Sequence, residues 1–375
     1  MAGIYIHVPF CKSKCIYCDF NSYSGKEILI PDYFDAVKKE LMHFYQISGG
    51  RKIDTIFIGG GTPSYVDSSY IFDLAEFMMN YLQVPEDVEF SIEANPGTLT
   101  RGKLLEYRIA GVNRISLGLQ ALQDNILKYL GRIHTAEDFM SSIDLVKNVG
   151  FQNINADLIF GIPGQTLKDW TETLHRIIDL DLQHLSCYSL KIEEGTPLSK
   201  LISEGKSDII DDAIDREMYY KAIELLTTHG YKHYEISNFA KPGYESQHNK
   251  LYWTEKEYIG FGAGAHSFFN NNRSSNTNDI QQYCKMVNET GTATIDSVHI
   301  DKDEEMSEYM LLGLRLIDGV SFSEFESKYG TNIMDLFGYK INDLIARGYL
   351  QLTKTNVKLT NTGLDYANQV FMEFL

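Results

Sequence analysis

The first 190 residues alternate between short β-rich runs and stretches of helical spacing, and few folds accommodate that alternation. Strand signals fall at 3–9, 54–58, 88–94, 114–119, 153–160 and 184–190. Helical spacing separates them, as at 32–47, where Phe34, Val37, Leu41, Phe44 and Tyr45 share one side. Further helices are predicted at 67–82, 100–110, 123–149 and 167–180. Repeated strand–helix units predict a parallel sheet with right-handed crossovers. Polar and glycine-rich residues recur just past the strand carboxyl ends: Gly59-Gly60-Gly61-Thr62-Pro63, Glu93 before Asn95-Pro96-Gly97, Gln120, and Asp157 before Gly161-Ile162-Pro163-Gly164. Barrels and flat doubly wound sheets both place chemistry at that end, so periodicity leaves the two open.

Beyond about residue 195 the pattern loosens. A helix is predicted at 211–229, followed by a Gly-, Asn- and aromatic-rich loop region through about 280. Helical spacing returns at 304–316, 321–328 and 333–347, with two short β runs at 349–352 and 357–360. This helix-then-wing order predicts a small winged-helix-like domain. The expected division is 1–195, 196–302 and 303–375. The composition, 43% hydrophobic and 23% charged, is that of a globular chain. The formal charge of −17 disfavours sequence-independent binding to nucleic-acid phosphates, so the winged element is expected to pack rather than bind DNA. No run of eighteen apolar residues occurs, so no transmembrane helix is expected, and nothing at the start reads as a signal peptide.

The chemistry concentrates in a loop after the first strand. Cys11, Cys15 and Cys18 read Cys-x3-Cys-x2-Cys, and three thiolates within eight residues can converge on one soft metal centre. Four-iron clusters usually take four cysteines, so three leave one iron open to a ligand. Zinc is the alternative, with His7 as a fourth ligand. A disulfide fits poorly with three clustered cysteines. Cys187 and Cys284 are expected to be buried free thiols, as in a reducing cytoplasm.

Glu93, Gln120 and Asp157 end or nearly end separate strands. One such residue is ordinarily a cap or solvated; three at one end of a sheet suggest a polar ligand site. Gly60, Gly61 and Thr62 permit close backbone approach, although a tight turn explains them equally well. His248-Asn249-Lys250-Leu251-Tyr252-Trp253 offers an imidazole, a common axial ligand to heme iron, beside two flat aromatic rings. Simple packing of Tyr252 and Trp253 is the alternative. His266, in Gly260-Phe261-Gly262-Ala263-Gly264-Ala265-His266, is a second candidate ligand.

The stretch Tyr5-Ile6-His7-Val8-Pro9-Phe10-Cys11 with Cys15-Ile16-Tyr17-Cys18 resembles the cluster loop of the radical S-adenosylmethionine (SAM) superfamily. The branch it resembles holds the oxygen-independent coproporphyrinogen III oxidases and the HemW heme chaperones. The resemblance implies a partial (β/α)6 barrel, and a [4Fe-4S] cluster on Cys11, Cys15 and Cys18 whose open iron chelates SAM. Reduction of that cluster then cleaves SAM to an adenosyl radical. The resemblance further implies SAM contacts from Gly60, Gly61, Thr62, Glu93, Gln120 and Asp157, and from Tyr5, Tyr17 and Arg132. His-Asn-x-x-Tyr-Trp matches the string that marks the heme chaperones, implying heme at His248. Delivery to acceptor proteins would follow, some of them membrane-bound respiratory enzymes, from a cytoplasmic protein peripheral at the membrane. The oxidases of this branch carry a fourth cysteine two residues after the third and a longer N-terminal arm. Here that position is Phe20, and Cys11 lies close to the start. The chaperone reading is therefore preferred, with radical decarboxylation of coproporphyrinogen III propionates as the alternative and a zinc-stabilised interaction protein as the third possibility.

Overall fold

The computed structural model describes residues 2–48 and 51–375. Strands and helices alternate as expected: β1 (Ala2–Val8), α1 (Ile30–Ser48), β2 (Ile53–Gly60), α2 (Ser68–Tyr81), β3 (Glu89–Ala94) and α3 (Arg101–Ile109). They continue with β4 (Arg114–Gln120), α4 (Asp124–Tyr129), α5 (Ala136–Val149), β5 (Asn153–Phe160), α6 (Leu167–Asp179) and β6 (His184–Ser189). The first six strands pair in chain order, all parallel. Helix starts are locally encoded. Thr135 and Thr166 form reciprocal capping boxes with Asp138 and Asp169, satisfying backbone N–H groups that have no intrahelical partner.

Side-chain alternation separates barrel from flat sheet. Ile4, Ile6 and Val8 on β1, Phe90 and Ile92 on β3, and Ile115, Leu117 and Leu119 on β4 are buried in one core with the helices. The intervening residues are polar: Tyr5 and His7, Ser91 and Glu93, Arg114 and Ser116, Asn155 and Asp157, His184 and Ser186. A parallel sheet covered by helices on both faces reads apolar throughout. Here helices cover one face, and the other curls around a polar interior. Ser116, Asn155 and His184 are neighbours in register across β4, β5 and β6. Asn155 Nδ2 donates to Ser116 Oγ at 2.7 Å, and its Oδ1 lies 2.6 Å from His184 Nδ1.

The segment 196–302 corrects the expectation of a long loop region. It carries α7 (Pro197–Ser203), α8 (Asp212–Thr228), β7 (Lys232–Glu235), β8 (Asn238–Ala240), α9 (Gln247–Trp253) and β9 (Tyr258–Phe261). β10 (His266–Phe269), β11 (Asn272–Asn276), α10 (Ile280–Thr290) and β12 (Thr294–His299) follow. All six of these strands join the same sheet, in the order β12-β11-β10-β9-β1-β2-β3-β4-β5-β6-β8-β7. β9 lies parallel to β1, and the remaining additions are antiparallel. The end strands β12 and β7 do not pair, so the barrel stays open.

The C-terminal segment has α11 (Lys302–Gly313), β13 (Val320–Ser321), α12 (Phe322–Tyr329), α13 (Ile333–Ala346), β14 (Leu350–Leu352), β15 (Asn356–Leu359), α14 (Asn361–Asp365) and α15 (Ala367–Met372). Its small antiparallel sheet, ordered β13-β15-β14, supplies the expected wing. A separate core, including Met310, Phe325, Ile333, Ile341, Val357 and Phe374, holds it together. Backbone bonds from Ile236 N to Arg315 O (3.1 Å) and Ile317 N to Tyr234 O (3.1 Å) tie it to β7 and its turn.

Candidate functional site

The cysteine loop leaves β1 and folds back on itself. Cys11 N donates to Tyr23 O at 2.9 Å, Tyr23 N to Pro9 O at 2.8 Å, and Cys18 N to Cys15 O at 3.3 Å. His7 anchors the loop and is not a ligand beside the cysteines. Its Nε2 lies 2.7 Å from Asn21 O and its Nδ1 3.0 Å from Tyr5 Oη. The carbonyl of Asn21 can only accept, so Nε2 carries the proton and Nδ1 accepts from Tyr5. This removes the fourth ligand on which the zinc alternative rested. Cys11 is buried, Cys15 and Cys18 partly exposed. Burial pushes the thiols of Cys11 and Cys18 up, the reverse of what a free reactive thiol needs; a metal, when bound, would hold them as thiolates.

The strand ends close against this loop through one chain of side chains. Thr62 Oγ1 accepts from Asn95 Nδ2 at 2.9 Å, which leaves its hydroxyl hydrogen for Cys11 Sγ at 3.4 Å. Asn95 Oδ1 accepts from Arg132 Nη2 at 2.7 Å, and Arg132 also reaches Gly118 O (2.9 Å) and Cys15 Sγ (3.6 Å). Cys11, Thr62, Asn95, Arg132 and Cys15 thus form a connected arc. Gln120 packs beside it without a hydrogen bond to it: a Cβ on Gly118 would stand 2.9 Å from Gln120 Nε2 and 3.2 Å from Arg132 Nη2. Gln120 has φ 66°, left-handed and uncommon for a non-glycine residue, and its Oε1 is buried without a partner, as is Arg132 Nε. Tyr17 lies beside Arg132, whose charge opposes the upward push of burial on the phenol.

Glu93 accepts from Gly60 N at 3.1 Å. Burial, then the charge of Asp157, pushes its carboxyl up to about 8. Asp157 accepts from Ser116 Oγ at 2.8 Å and Asn155 Nδ2 at 2.9 Å, so it continues the interior network. Gly60 has φ 110°, and a Cβ there would meet the His7 ring at 2.6 Å. Gly61 N and Thr62 N donate to Val8 O and Phe10 O, both at 2.9 Å, which ties the glycine segment to the start of the cysteine loop. Tyr5, Glu93, Gln120 and Asp157 therefore share the interior wall. Sequence reasoning missed Asn95 as a site residue, because Asn-Pro-Gly reads as a turn.

His248 requires a correction. It falls in the segment read as a loop region, but it lies on α9 with 1% of its surface exposed. Its Nδ1 is 2.7 Å from Thr55 Oγ1, its Nε2 is 2.9 Å from Tyr252 Oη, and its ring stacks on Phe57. Burial, then Arg114, pushes it down to about 3, so it is neutral. Glu89, the first residue of β3, accepts the N–H groups of Gln247 (3.0 Å) and His248 (2.9 Å), so α9 closes the amino end of the strands, opposite the cysteines. Neither ring nitrogen faces open space. His266 is exposed and lines a polar cleft with Lys14, Phe20, Asn21 and Asn278 beside the cysteine loop.

Comparison with known proteins agrees with this geometry. Residues 5–177 match the family model of the radical SAM superfamily, and residues 300–366 match that of the HemN C-terminal domain. The chain is 38% identical to the heme chaperone HemW of Bacillus subtilis, covering 100% of this chain and 99% of that one. The chain belongs to the HemW family of the radical SAM superfamily. It is also 34% identical to HemW of Lactococcus lactis, covering 99% of this chain and 96% of the relative. The solved structure of coproporphyrinogen III oxidase (HemN) from Escherichia coli, a radical SAM enzyme, shares the fold. Its TM-score is 0.86 at 22% identity, over 100% of this chain and 89% of the other. Membership in the superfamily implies a four-iron cluster and SAM, and the residues fit them. Three sulfurs share one loop, Gly60 has the open backbone that close approach needs, and Gln120 Oε1 and Arg132 Nε are buried polar atoms without partners. When bound, the cluster supplies a low-potential electron and an open iron. The chain's own residues position the sulfurs and present acceptors at the strand ends.

Proposed function

We propose that this chain is a heme chaperone that binds heme and passes it to acceptor proteins. The observation that carries the reading is kinship over essentially the whole length with heme chaperones HemW, at 38% identity to one of them. In this reading Cys11, Cys15 and Cys18 hold the cluster. Gly60, Gly61 and Thr62 meet the amino end of SAM through their backbone. Glu93, Gln120, Asp157, Tyr5, Tyr17 and Arg132 contact the rest of it. A carboxylate at Glu93 suits an ammonium or sulfonium neighbour, which would favour ionisation of a group that burial otherwise keeps protonated.

Ligation of heme iron by His248 enters this reading only through an opened form in which α9 leaves Thr55 and Glu89. The acceptors fit the class of heme proteins that includes membrane-bound respiratory enzymes. No helix among the described residues is long and apolar enough to cross a membrane. Action from the cytoplasm, peripheral to the membrane, is part of the proposal.

Coproporphyrinogen III oxidation is the second reading, favoured by the fold shared with HemN. Phe20, 61% exposed on the cysteine loop where that branch's oxidases have a cysteine, weighs against it. The test is anaerobic reconstitution with iron and sulfide, followed by heme titration and incubation with an apo-acceptor. Saturable heme binding and appearance of the holo-acceptor are expected. Failure to bind heme would overturn the reading.

A further inference from the structure

The polar interior of the barrel holds one continuous hydrogen-bonded chain, and its two ends have different tasks in the proposed function. It begins at Asp157 on β5, which accepts from Ser116 Oγ at 2.8 Å and Asn155 Nδ2 at 2.9 Å. Asn155 Oδ1 lies 2.6 Å from His184 Nδ1, and His184 Nε2 lies 2.8 Å from Tyr234 Oη. Tyr234 Oη lies 3.3 Å from the backbone N of Ser246, the residue that caps the amino end of α9. The chain thus runs from a residue of the proposed SAM site to the first turn of the helix that carries His248-Asn249-Lys250-Leu251-Tyr252-Trp253.

The direction of every bond is fixed. A carboxylate only accepts, so the Asn155 atom beside Asp157 is its amide nitrogen and the one facing His184 is its carbonyl oxygen. His184 Nδ1 therefore carries the proton, and Nε2 accepts from the Tyr234 hydroxyl. The Tyr234 oxygen then accepts from Ser246 N. Each donor points toward Asp157. Burial, then Arg114, holds His184 well below the ordinary imidazole value, which keeps the ring in this one neutral form. Asn155, His184 and Tyr234 are buried, so bulk water does not compete for these bonds.

Filling space does not account for such a chain. Barrel interiors are ordinarily packed with branched apolar side chains, and a buried polar network is favourable only when every member is satisfied. Here every link is made. Moving Ser246 takes a donor from the Tyr234 oxygen, and moving Asp157 leaves Ser116 and Asn155 without their acceptor. The two ends are therefore stable in place together.

We infer that SAM bound at Asp157 holds α9 closed through this chain, and that loss of SAM frees the helix. The inference rests on the reading in which Asp157 contacts SAM and α9 opens for His248 to reach iron. A ligand shifts an equilibrium only by its preference for one form. With the chain intact, Asp157 stands fixed near Glu93, and the charge of one carboxyl opposes ionisation of the other. The cationic groups of SAM relieve that opposition while both carboxyls are in place. With α9 away from Tyr234 the chain loses its far anchor, and Asp157 is held less firmly for SAM. Thr55 and Glu89 also hold α9 but lie outside the chain, which supplies a control.

The test is hydrogen exchange, read by mass spectrometry on peptides covering α9, in the anaerobically reconstituted full-length protein. Each protein is compared without SAM and at a SAM concentration shown by calorimetry to saturate it. SAM is expected to slow exchange of α9 in the parent about tenfold. Tyr234→Phe removes the hydroxyl that joins the two halves of the chain. Its α9 should exchange faster, with no change on adding SAM. His184→Leu cuts the chain one link away and is read in the same way, so loss of fold in one variant leaves the other. Thr55→Val should speed exchange in both states and keep the SAM effect. Parent protein that binds SAM with no change in α9, or a SAM effect that persists in a folded Tyr234→Phe or His184→Leu protein, overturns the coupling while the SAM site stands. Parent protein that binds no SAM overturns the reading beneath it as well.

Discussion

Glu93 shows how the site is balanced at the scale of single residues. Its folded-state value, about 8, lies above the ordinary 4.5. A group raised in this way contributes stability that is complete below the unfolded value and lost as pH rises through the folded one. The unliganded protein should therefore lose stability between about pH 4.5 and pH 8 on account of this carboxyl. Glu93→Gln removes the charge, so its melting temperature should exceed the parent's at pH 9 and converge with it toward pH 5, while SAM affinity falls. Scanning calorimetry at the two pH values checks this; a variant less stable than the parent at pH 9 counts against it. Asn95 makes the second residue-scale prediction. Asn95→Ala breaks the arc between Thr62 and Arg132, so SAM affinity should fall about tenfold while iron and sulfide content hold. Unchanged SAM affinity would show that the arc is not needed. The cysteines were legible in sequence because three thiols in eight residues have few other uses. Arg132 and Asn95 were harder to read. Arg132 follows the end of α4 and Asn95 hides in a turn signature after β3, and only folding brings them together.

At the scale of elements, α9 matters most. It closes the amino end of the strands through Glu89 and Thr55, with His248 stacked on Phe57. Replacing His248 with Ala leaves Thr55 and Tyr252 without their partner and opens a cavity, for an expected loss of about 1–3 kcal/mol. Urea unfolding measures it; a loss below about 0.5 kcal/mol would mean that the ring is exposed in solution. The early strands were legible because each has the length of a buried strand, alternates apolar with polar residues and stands between segments of helical spacing. The later ones were not. β11 is Asn-Arg-Ser-Ser-Asn, β12 is exposed throughout, and β8 has three residues, so neither alternation nor hydrophobicity marks them. Pairing with an existing edge forms such strands, and that is a property of the sheet rather than of the segment. α9, at seven residues, is likewise too short for helical periodicity to register.

The whole molecule combines an open barrel with a C-terminal domain that has its own core. Periodicity alone left barrel and doubly wound sheet open; the alternation of apolar and polar residues separates them once helices are seen to cover only one face. The winged order of the last domain was readable from its helices and final β runs. Fold alone does not choose between chaperone and oxidase, since HemN has the same architecture. Phe20 leads to the prediction that anaerobic incubation with SAM, a reductant and coproporphyrinogen III yields no protoporphyrinogen, as checked by chromatography of the oxidised products. The central claim is heme transfer, and its most direct measurement is the Soret spectrum of an apo-acceptor separated after incubation with the heme-loaded, reconstituted protein. The account predicts that the acceptor gains heme from this protein faster than from the same concentration of free hemin. An acceptor that gains none, while the loaded protein keeps its heme, would contradict it.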